Sequence, residues 1–274
     1  MIRYPAPAKL NLFLHVVGRR PDGYHLLQTV FRFIDYCDSL TFEITDSPEI
    51  TLLDPIPGVP QSSNLCVRAA QLLQIEGNCK LGAKIGLEKK LPMGGGLGGG
   101  SSDAATTLIV LNRLWKLNFS RERLMEIGLK IGADVPVFVF GENAFAEGIG
   151  EKLEPVFLEP AWYLVLVPPV QIPTAEIFAC PELTRDTNPI KISDFSIETG
   201  HNDLEPVACG RYPVLADYLA WLKRYGRALM TGSGSCVFAE FSSEKDAKIA
   251  LEALPEEMQG FLARGLDHHP LKDF

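Results

Sequence analysis

Residues 89–105 read KKLPMGGGLGGGSSDAA, with six glycines in the seven positions 94–100. Glycine lets backbone N–H groups turn inward and lets a ligand approach the chain closely. Apolar residues then recur at helical spacing from Leu108 to Trp115, and a helix start adds unpaired N–H groups and a positive dipole end. Because the glycines lie between two strongly patterned elements, the stretch predicts a phosphate-binding loop rather than a flexible linker.

The kind of phosphate loop can be narrowed from its surroundings. It is not a Walker A loop, because no Gly-Lys-Ser/Thr ends it. Gly94, Gly96 and Gly99 satisfy G-x-G-x-x-G, a weak match in so glycine-rich a run. A dinucleotide loop follows directly on a buried strand, whereas residues 89–93 intervene here. A nucleotide site is therefore favoured over a dinucleotide site, with Lys89 and the next lysine as local positive charge.

Composition limits the possible partners and the compartment. The chain has 274 residues, 46% of them hydrophobic, and a formal net charge of −8, which argues against non-specific binding to nucleic acid or membrane surfaces. Its six cysteines form no C-x-x-C pair and no zinc spacing, so we expect reduced thiols in a cytoplasm. No signal segment or long apolar run appears. We expect a soluble, unprocessed bacterial protein that is a monomer or a weak homodimer.

Hydrophobic periodicity predicts an α+β chain in two units, an N-terminal one over 1–158 and a C-terminal one over 159–274. In the first unit, alternation over 9–16 places leucines on one face and Lys9, Asn11 and a histidine on the other. The order β-α-β-β-α-β in the second unit predicts a ferredoxin-like sheet. The predicted strands are 9–16, 26–34, 39–44, 49–53, 82–88, 144–147, 152–157, 162–167, 227–231, 235–241 and 260–265; the predicted helices are 65–75, one through 108–115, 120–130, 174–180, 201–208, 213–225 and 244–254, with 182–200 as a loop.

Two residues are candidates for the chemistry that a nucleotide loop implies. Phosphoryl transfer to an alcohol needs a carboxylate to accept the hydroxyl proton and a cation near the developing charge. Asp134 precedes Val135-Pro136, and Lys9 lies on the polar face of the first strand, where it can keep such a carboxylate ionised. The alternative for Asp134 is an ordinary helix N-cap, and the alternative for Lys9 is a surface lysine.

Five stretches in their order along the chain resemble the GHMP kinases, a family of small-molecule kinases. They are residues 7–12 (PAKLNL), 20–25 (RPDGYH), 91–102 (LPMGGGLGGGSS), 132–136 (GADVP) and 231–234 (TGSG). The stretch 20–25 discriminates within the family, because it is similar to that of the members that phosphorylate 4-diphosphocytidyl-2-C-methyl-D-erythritol. The resemblance covers about residues 3–265 and implies a two-domain GHMP kinase fold with its active site in a cleft between the domains.

The resemblance also implies roles for individual residues. Asp134 is expected to deprotonate the C2 hydroxyl of the substrate, with Lys9 as its partner. The substrate is expected to contact Asn11, Tyr24, His25, Phe31, Thr174 and Phe178, where His25 reads the cytosine edge and Tyr24 and Phe178 stack on the base. ATP is expected to contact Asn64, Lys89, Pro92, Met93, Gly94, Gly95, Gly96, Leu97, Gly98, Gly99, Gly100, Ser101 and Ser102. Magnesium is expected to arrive with ATP, either held mainly by phosphates and water or also contacted by Ser101 or Ser102, and no residue is assigned as its ligand.

Three other functions stay open at this point. A GHMP kinase for another small alcohol, such as homoserine or a sugar, shares the loop and differs at Tyr24, His25 and Phe178. A non-catalytic nucleotide-binding module would bind ATP without turnover, and a dinucleotide enzyme would bind NADH. Residues 201–205 (HNDLE) are interpreted as structural, and residues 232–234 have the alternative of a plain hairpin turn.

Overall fold

The computed structural model describes residues 2–195 and 200–274, which form ten strands and eight α-helices. The strands are β1 Tyr4–Arg19, β2 His25–Thr45, β3 Ile50–Leu52, β4 Gly82–Glu88, β5 Ala144–Glu147, β6 Lys152–Pro155, β7 Trp162–Leu166, β8 Ala228–Met230, β9 Val237–Phe241 and β10 Gly260–Arg264. The helices are α1 Leu65–Glu76, α2 Gly99–Leu114, α3 Arg121–Leu129, α4 Val135–Phe140, α5 Thr174–Ala179, α6 Glu205–Arg211, α7 Pro213–Leu222 and α8 Glu244–Glu252.

Strand β2 is the central strand of the first sheet. The order is β3-β4-β2-β5-β6, and β1 pairs with β2 along most of its length. All these pairings are antiparallel except that of β3 with β4. Helices α1 to α4 contribute to a core with this sheet that includes Phe33, Ile85, Leu108 and Phe138. The mixed sheet with helices that the sequence predicts is therefore present.

The prediction of two separate strands at 26–34 and 39–44 is wrong, because β2 runs through both. The polar residues between them suggest a break, but they form an irregularity in a continuous strand. Pro7 pairs with Cys37 and Ala8 with Ile34, so Asp35 and Tyr36 are accommodated as a bulge.

The second sheet has the order β10-β7-β9-β8, with all neighbours antiparallel. This is the ferredoxin-like arrangement that the sequence predicts. One face packs against α6, α7 and α8. The other face, through Val165, Leu229 and Phe238, packs against Leu10 and Leu12 of β1. Strand β1 therefore joins the two sheets.

Several boundaries differ from the predictions. Helix α6 begins at Glu205 rather than 201, because Asn202 instead bridges to Leu14 of β1. Helix α4 was not predicted as an element. The predicted unit boundary at 158/159 falls between β6 and β7, yet the chain end returns to the first core, where Leu271 is buried.

One prediction can be compared with the structure only in part, and another concerns membrane-spanning helices. The predicted loop at 182–200 includes residues 196–199, which lie outside the described residues. In the described part of the chain, no helix is long and apolar enough to span a bilayer.

Candidate active site

Three adjoining cavities lie where the glycine stretch, β1, β2 and α5 meet. The loop cavity, about 500 Å³, is lined by residues 92–101, Lys89, Asp103, Thr174 and residues 56–66 in part. The central cavity, about 350 Å³, is lined by residues that include Lys9, Asn11, Thr29, Phe31, Ser101, Asp134, Thr174 and Ser233. The outer cavity, about 540 Å³, is lined by residues that include Arg19, Tyr24, His25, Thr174 and Phe178. Thr174 lines all three, so the cavities form one continuous cleft.

The glycine loop places the start of a 16-residue helix at the loop cavity. Gly98 has φ +73° and ψ +16° and is the N-cap of α2, a conformation that residues with a Cβ rarely adopt. Gly96, at φ +75°, lies so close to the second unit that a Cβ there would be 2.1 Å from the Thr231 carbonyl oxygen. The free N–H groups of the first turn and the helix dipole thus favour an anion in this cavity.

Lys89 lies in the wall of the loop cavity, but two carboxylates compensate its charge. Its ammonium pairs with Asp38 and, at 2.8 Å, with Asp103. Burial alone would lower the pKa of Lys89, but the two carboxylates outweigh this and hold its pKa above the ordinary value. Burial raises the pKa of the Asp103 carboxyl despite the lysine. Asp38 also accepts hydrogen bonds from the N–H groups of Lys90 and Leu91, so this network anchors the beginning of the loop.

Lys9 and Asp134 meet in the central cavity. The Lys9 side chain is only 3% exposed, and its Nζ lies 3.5 Å from Asp134 Oδ2. The same Nζ donates to Asn11 Oδ1 at 2.5 Å and lies 5.3 Å from the centre of the Phe31 ring. The Asp134 carboxylate is 38% exposed, so a ligand in the cavity can reach it. Two residues that are 125 positions apart in the sequence therefore form an ion pair between a buried cation and an accessible carboxylate.

The position of Asp134 also tests its alternative role as a helix cap. It directly precedes α4, but its carboxylate accepts no capping hydrogen bond from any residue described. By contrast, Asn64 caps α1, because its Oδ1 accepts from the Cys66 N–H at 2.9 Å. The Asp134 side chain is therefore directed to the cavity and Lys9 rather than to its own helix.

A hydrogen-bond network fixes the polar floor of the central cavity. Asn11 donates through Nδ2 to Thr29 Oγ1 at 2.9 Å, and its N–H donates to Thr231 Oγ1 at 3.0 Å. Thr174 Oγ1 and Ser233 Oγ lie 2.7 Å apart. Residues 232–234 are therefore part of the cavity wall, not only a turn.

The outer cavity brings together three aromatic side chains. The turn at 20–23 ends in Gly23, whose φ is +93°, and Tyr24 follows it with its side chain largely exposed. His25 begins β2, and its ring lies 4.8 Å from that of Phe178 on α5, at an interplanar angle of 28°. Burial and the nearby Arg185 and Arg19 lower the pKa of His25, which favours a neutral imidazole.

The predicted site residues thus line these cavities, with one exception. Ser102 is fully buried, and its N–H bonds to the Gly98 carbonyl inside the helix; it lines neither the loop nor the central cavity. Asn64 lines the loop cavity while it caps α1. Sequence reasoning missed Thr29, Ser233 and Arg185. Of these, only Ser233 carried a signal, the motif at 231–234.

Residues 201–205 hold in place the part of the second unit that lines the cleft. Asn202 Nδ2 donates to the carbonyls of Met230 and Gly232. Asp203 accepts from the Val16 N–H, and Glu205 accepts from the Met230 N–H. The structural interpretation of this stretch agrees with these contacts.

Comparisons with known proteins identify two family models along the chain. Residues 64–142 match the GHMP kinases N terminal domain, and residues 193–260 match the GHMP kinases C terminal domain. The first includes the glycine loop and Asp134, and the second includes residues 201–205 and 231–234.

Similar proteins cover nearly the whole chain. The 4-diphosphocytidyl-2-C-methyl-D-erythritol kinase of Nitrosospira multiformis is 63% identical over 98% of this chain and 93% of its own length. That of Nitrosomonas eutropha is 62% identical over the full length of both. A crystal structure of 4-(cytidine 5'-diphospho)-2C-methyl-D-erythritol kinase has a TM-score of 0.84 and 33% identity, and covers 96% of this chain and 99% of that one. Homoserine kinase from Cytophaga hutchinsonii shares the fold, with a TM-score of 0.73 at 16% identity over 98% of this chain and 95% of that one.

Proposed function

The chain belongs to the GHMP kinases and, within them, to the 4-diphosphocytidyl-2-C-methyl-D-erythritol kinases, and from this premise we propose its reaction. It is a small-molecule kinase. It transfers the γ-phosphoryl group of ATP to the C2 hydroxyl of 4-diphosphocytidyl-2-C-methyl-D-erythritol. The products are ADP and the 2-phosphate, in the non-mevalonate route to isoprenoid precursors.

The order of the three cavities is the observation that carries this proposal. The loop cavity, with a helix start at its base, suits the phosphates of ATP. The outer cavity offers aromatic faces and a neutral histidine to a base. The central cavity between them holds Lys9 and Asp134. A substrate with a nucleotide at one end and a polyol at the other fits this order, whereas homoserine would leave the outer cavity unused.

Asp134 acts as the base in the proposed reaction. The C2 hydroxyl gives its proton to the Asp134 carboxylate while its oxygen forms a bond to the γ-phosphorus, and the bond to the β–γ bridging oxygen breaks to release ADP. Lys9 stabilises the carboxylate and the negative charge near the attacking oxygen. Its burial and its bond to Asn11 hold the ammonium in place, so little reorganisation is needed during the reaction.

The remaining predicted residues position the two ends of the substrate. Asn11 and Thr174 hold the methylerythritol hydroxyls, while Phe31 packs beneath Lys9. His25 hydrogen-bonds the cytosine edge, and Tyr24 and Phe178 stack on the base. Stacking contributes roughly 1–3 kcal/mol per base without distinguishing one base from another, so selection of cytosine depends on His25.

Magnesium enters this proposal with ATP. Among the residues described, no group of three or more His, Cys, Asp or Glu side chains could hold a metal ion. Mg²⁺ commonly keeps several waters and takes few protein ligands beside substrate phosphates. Ser101, which lines both the loop and central cavities, is the protein ligand that we propose. When bound, the ion neutralises charge that develops on the phosphates.

The test compares acceptor alcohols under one set of conditions. ADP release is measured with ATP and Mg²⁺ in the presence of 4-diphosphocytidyl-2-C-methyl-D-erythritol, homoserine or mevalonate, and ³¹P NMR locates the new phosphate. We expect turnover with the cytidine substrate and a new monoester at C2. Comparable turnover with homoserine or mevalonate would contradict the proposed substrate.

A further inference from the structure

Residues 265–274, which we call the return segment, bring the chain back from the second sheet to the first unit. Directly after β10, the N–H of Leu266 donates to the Phe33 carbonyl of β2 at 2.8 Å. The His269 ring is fully buried and lies edge-on to the Phe33 ring at 5.7 Å, and Leu271 is buried in the first core. The return segment is thus packed against the unit that supplies the proposed base.

The return segment contacts α4 at the end of the helix opposite to Asp134. The N–H of His269 donates to the carbonyl of Gly141, the C-cap of α4, at 2.9 Å. Asp134 directly precedes α4, and at 1.5 Å per residue only about 8 Å of helix separate it from Val139. Because the helix is this short and its residues are largely buried, a shift of its last turn also moves its beginning.

Arg121 joins α4 to the return segment. This half-buried residue begins α3. Its Nη1 donates to the Val139 carbonyl at 2.6 Å, and its Nη2 donates to the Leu271 carbonyl at 2.8 Å and also to that of Lys272. A planar guanidinium offers several donors in fixed directions. One side chain therefore sets the distance between the end of α4 and the return segment.

The middle of α4 supports the other half of the proposed catalytic pair. A Cβ at Gly98 would meet the Phe138 ring of α4 at 2.9 Å and Cε of Lys9 at 3.2 Å, so both side chains border the same point of the glycine loop. Asp134 lies at the beginning of the same helix, 3.5 Å from the Lys9 ammonium. The separation of this pair therefore depends on the position of α4.

We propose that Arg121 is a positioning residue for Asp134: with the return segment it fixes the end of α4, and α4 in turn places the carboxylate beside Lys9 and the acceptor hydroxyl. This inference rests on the proposed function, in which Asp134 takes the proton. Arg121 lines none of the three cavities of the cleft, so its effect reaches the reaction through α4. Displacement of a reacting group by about 1 Å can lower a rate about a hundredfold.

Arg121→Ala tests the proposal, with Arg113→Ala as its matched control. Arg113 also contacts the return segment, through the Phe274 ring at 4.4 Å, but it lies in the last turn of α2 rather than at α4. In Arg121→Ala we expect kcat to fall about ten- to a hundredfold, with KM for ATP and for the cytidine substrate within about threefold of wild type. In Arg113→Ala we expect kcat within about twofold of wild type. Urea unfolding establishes that each variant is folded.

A double mutant separates this role from a general loss of structure. If Arg121 acts through Asp134, its removal costs little once the carboxylate is absent, because residues that act on one step are not additive. In the Asp134→Asn background we expect Arg121→Ala to lower kcat less than about twofold. A further decrease of about tenfold in that background would overturn the proposal.

Arg121→Lys carries the test if Arg121→Ala does not fold. An ammonium keeps the charge but has no planar fork that binds Val139 and Leu271 together, so we expect kcat to fall about threefold or more at unchanged KM. A crystal structure of the folded variant should show the Lys9–Asp134 distance lengthened from 3.5 Å, and this readout does not depend on turnover.

The two proposals fail in different ways. Wild-type kcat in the folded Arg121 variant, an equal loss in Arg113→Ala, or an unchanged Lys9–Asp134 distance would overturn the role of Arg121. Absence of wild-type turnover with the cytidine substrate, or near-normal turnover in Asp134→Asn, would instead refute the proposed function, and the crystal structure would still decide whether Arg121 positions the carboxylate.

Discussion

Substitution of Gly98 by alanine tests how the glycine loop is built. Gly98 has φ +73°, and left-handed backbone costs a residue with a Cβ about 1–2 kcal/mol. The new Cβ would lie 2.9 Å from Cζ of Phe138, which is fully buried, and 3.2 Å from Cε of Lys9. Overpacking of this kind costs about 1–3 kcal/mol more. We therefore expect Gly98→Ala to lower the free energy of unfolding by about 2–5 kcal/mol.

Gly100→Ala is the matched control for this prediction. Gly100 also lines the loop cavity, but it lies exposed in the first turn of α2, and its Cβ would meet only the Leu65 side chain, at 3.3 Å for the nearest atom. Alanine is favoured over glycine within helices by about 0.5–1 kcal/mol, so we expect stability within about 1 kcal/mol of wild type. Urea unfolding, followed by tryptophan fluorescence, measures both variants. Equal stability of Gly98→Ala and wild type would refute the reasoning.

Three further predictions concern the charge of Lys9, the residues that contact the base, and the stability of the protein at low pH. Lys9→Met should retain ATP binding by calorimetry but lose most turnover, because the aliphatic bulk stays and the charge beside Asp134 goes; high activity in this variant would remove Lys9 from the mechanism. His25→Ala should weaken binding of the cytidine substrate and reduce discrimination against its uridine analogue, whereas Phe178→Leu should weaken binding of both compounds to the same extent. Equal loss of affinity for both compounds in His25→Ala would contradict this prediction. His269 is buried beside Arg121 and a second histidine, which lowers its pKa from 6.5 to about 3. Since only the unfolded chain binds that proton between these values, stability is fully present above pH 6.5 and should fall by up to about 1.4 kcal/mol per pH unit toward pH 3. Urea unfolding at a series of pH values should show a smaller decrease in His269→Asn, and an equal decrease would contradict the assignment.

Local chemistry explains why the sequence predicted the loop and singled out Lys9 and Asp134, whereas Tyr24, His25 and Phe178 followed only from the resemblance to the GHMP kinases. The glycine run, the alternation that places Lys9 and Asn11 on one face of β1, and the residues before α4 are patterns of neighbouring residues. The ferredoxin-like order followed from element types alone. These features depend on backbone conformation and periodicity, which a single sequence expresses directly.

The features that the sequence did not predict depend on distant residues. Asp38 looks like part of a break in β2, yet it is buried and binds Lys89 and two backbone N–H groups 52 and 53 positions away. Arg185 reaches His25 across 160 positions. Ser102 was predicted at the phosphates, but the rotation of α2 directs its side chain inward. Such pairings arise from packing of the whole chain and leave no local pattern.

Asp134→Asn provides the most direct test of the central claim, that the Asp134 carboxylate takes the proton of the acceptor hydroxyl. The measurement is kcat for ADP release with saturating ATP and 4-diphosphocytidyl-2-C-methyl-D-erythritol. Asparagine keeps the shape of the side chain but cannot take up the proton, and it also removes the negative charge beside Lys9. The account predicts that kcat falls by about two to four orders of magnitude, while the substrate KM changes less. Near-normal turnover in Asp134→Asn would contradict it.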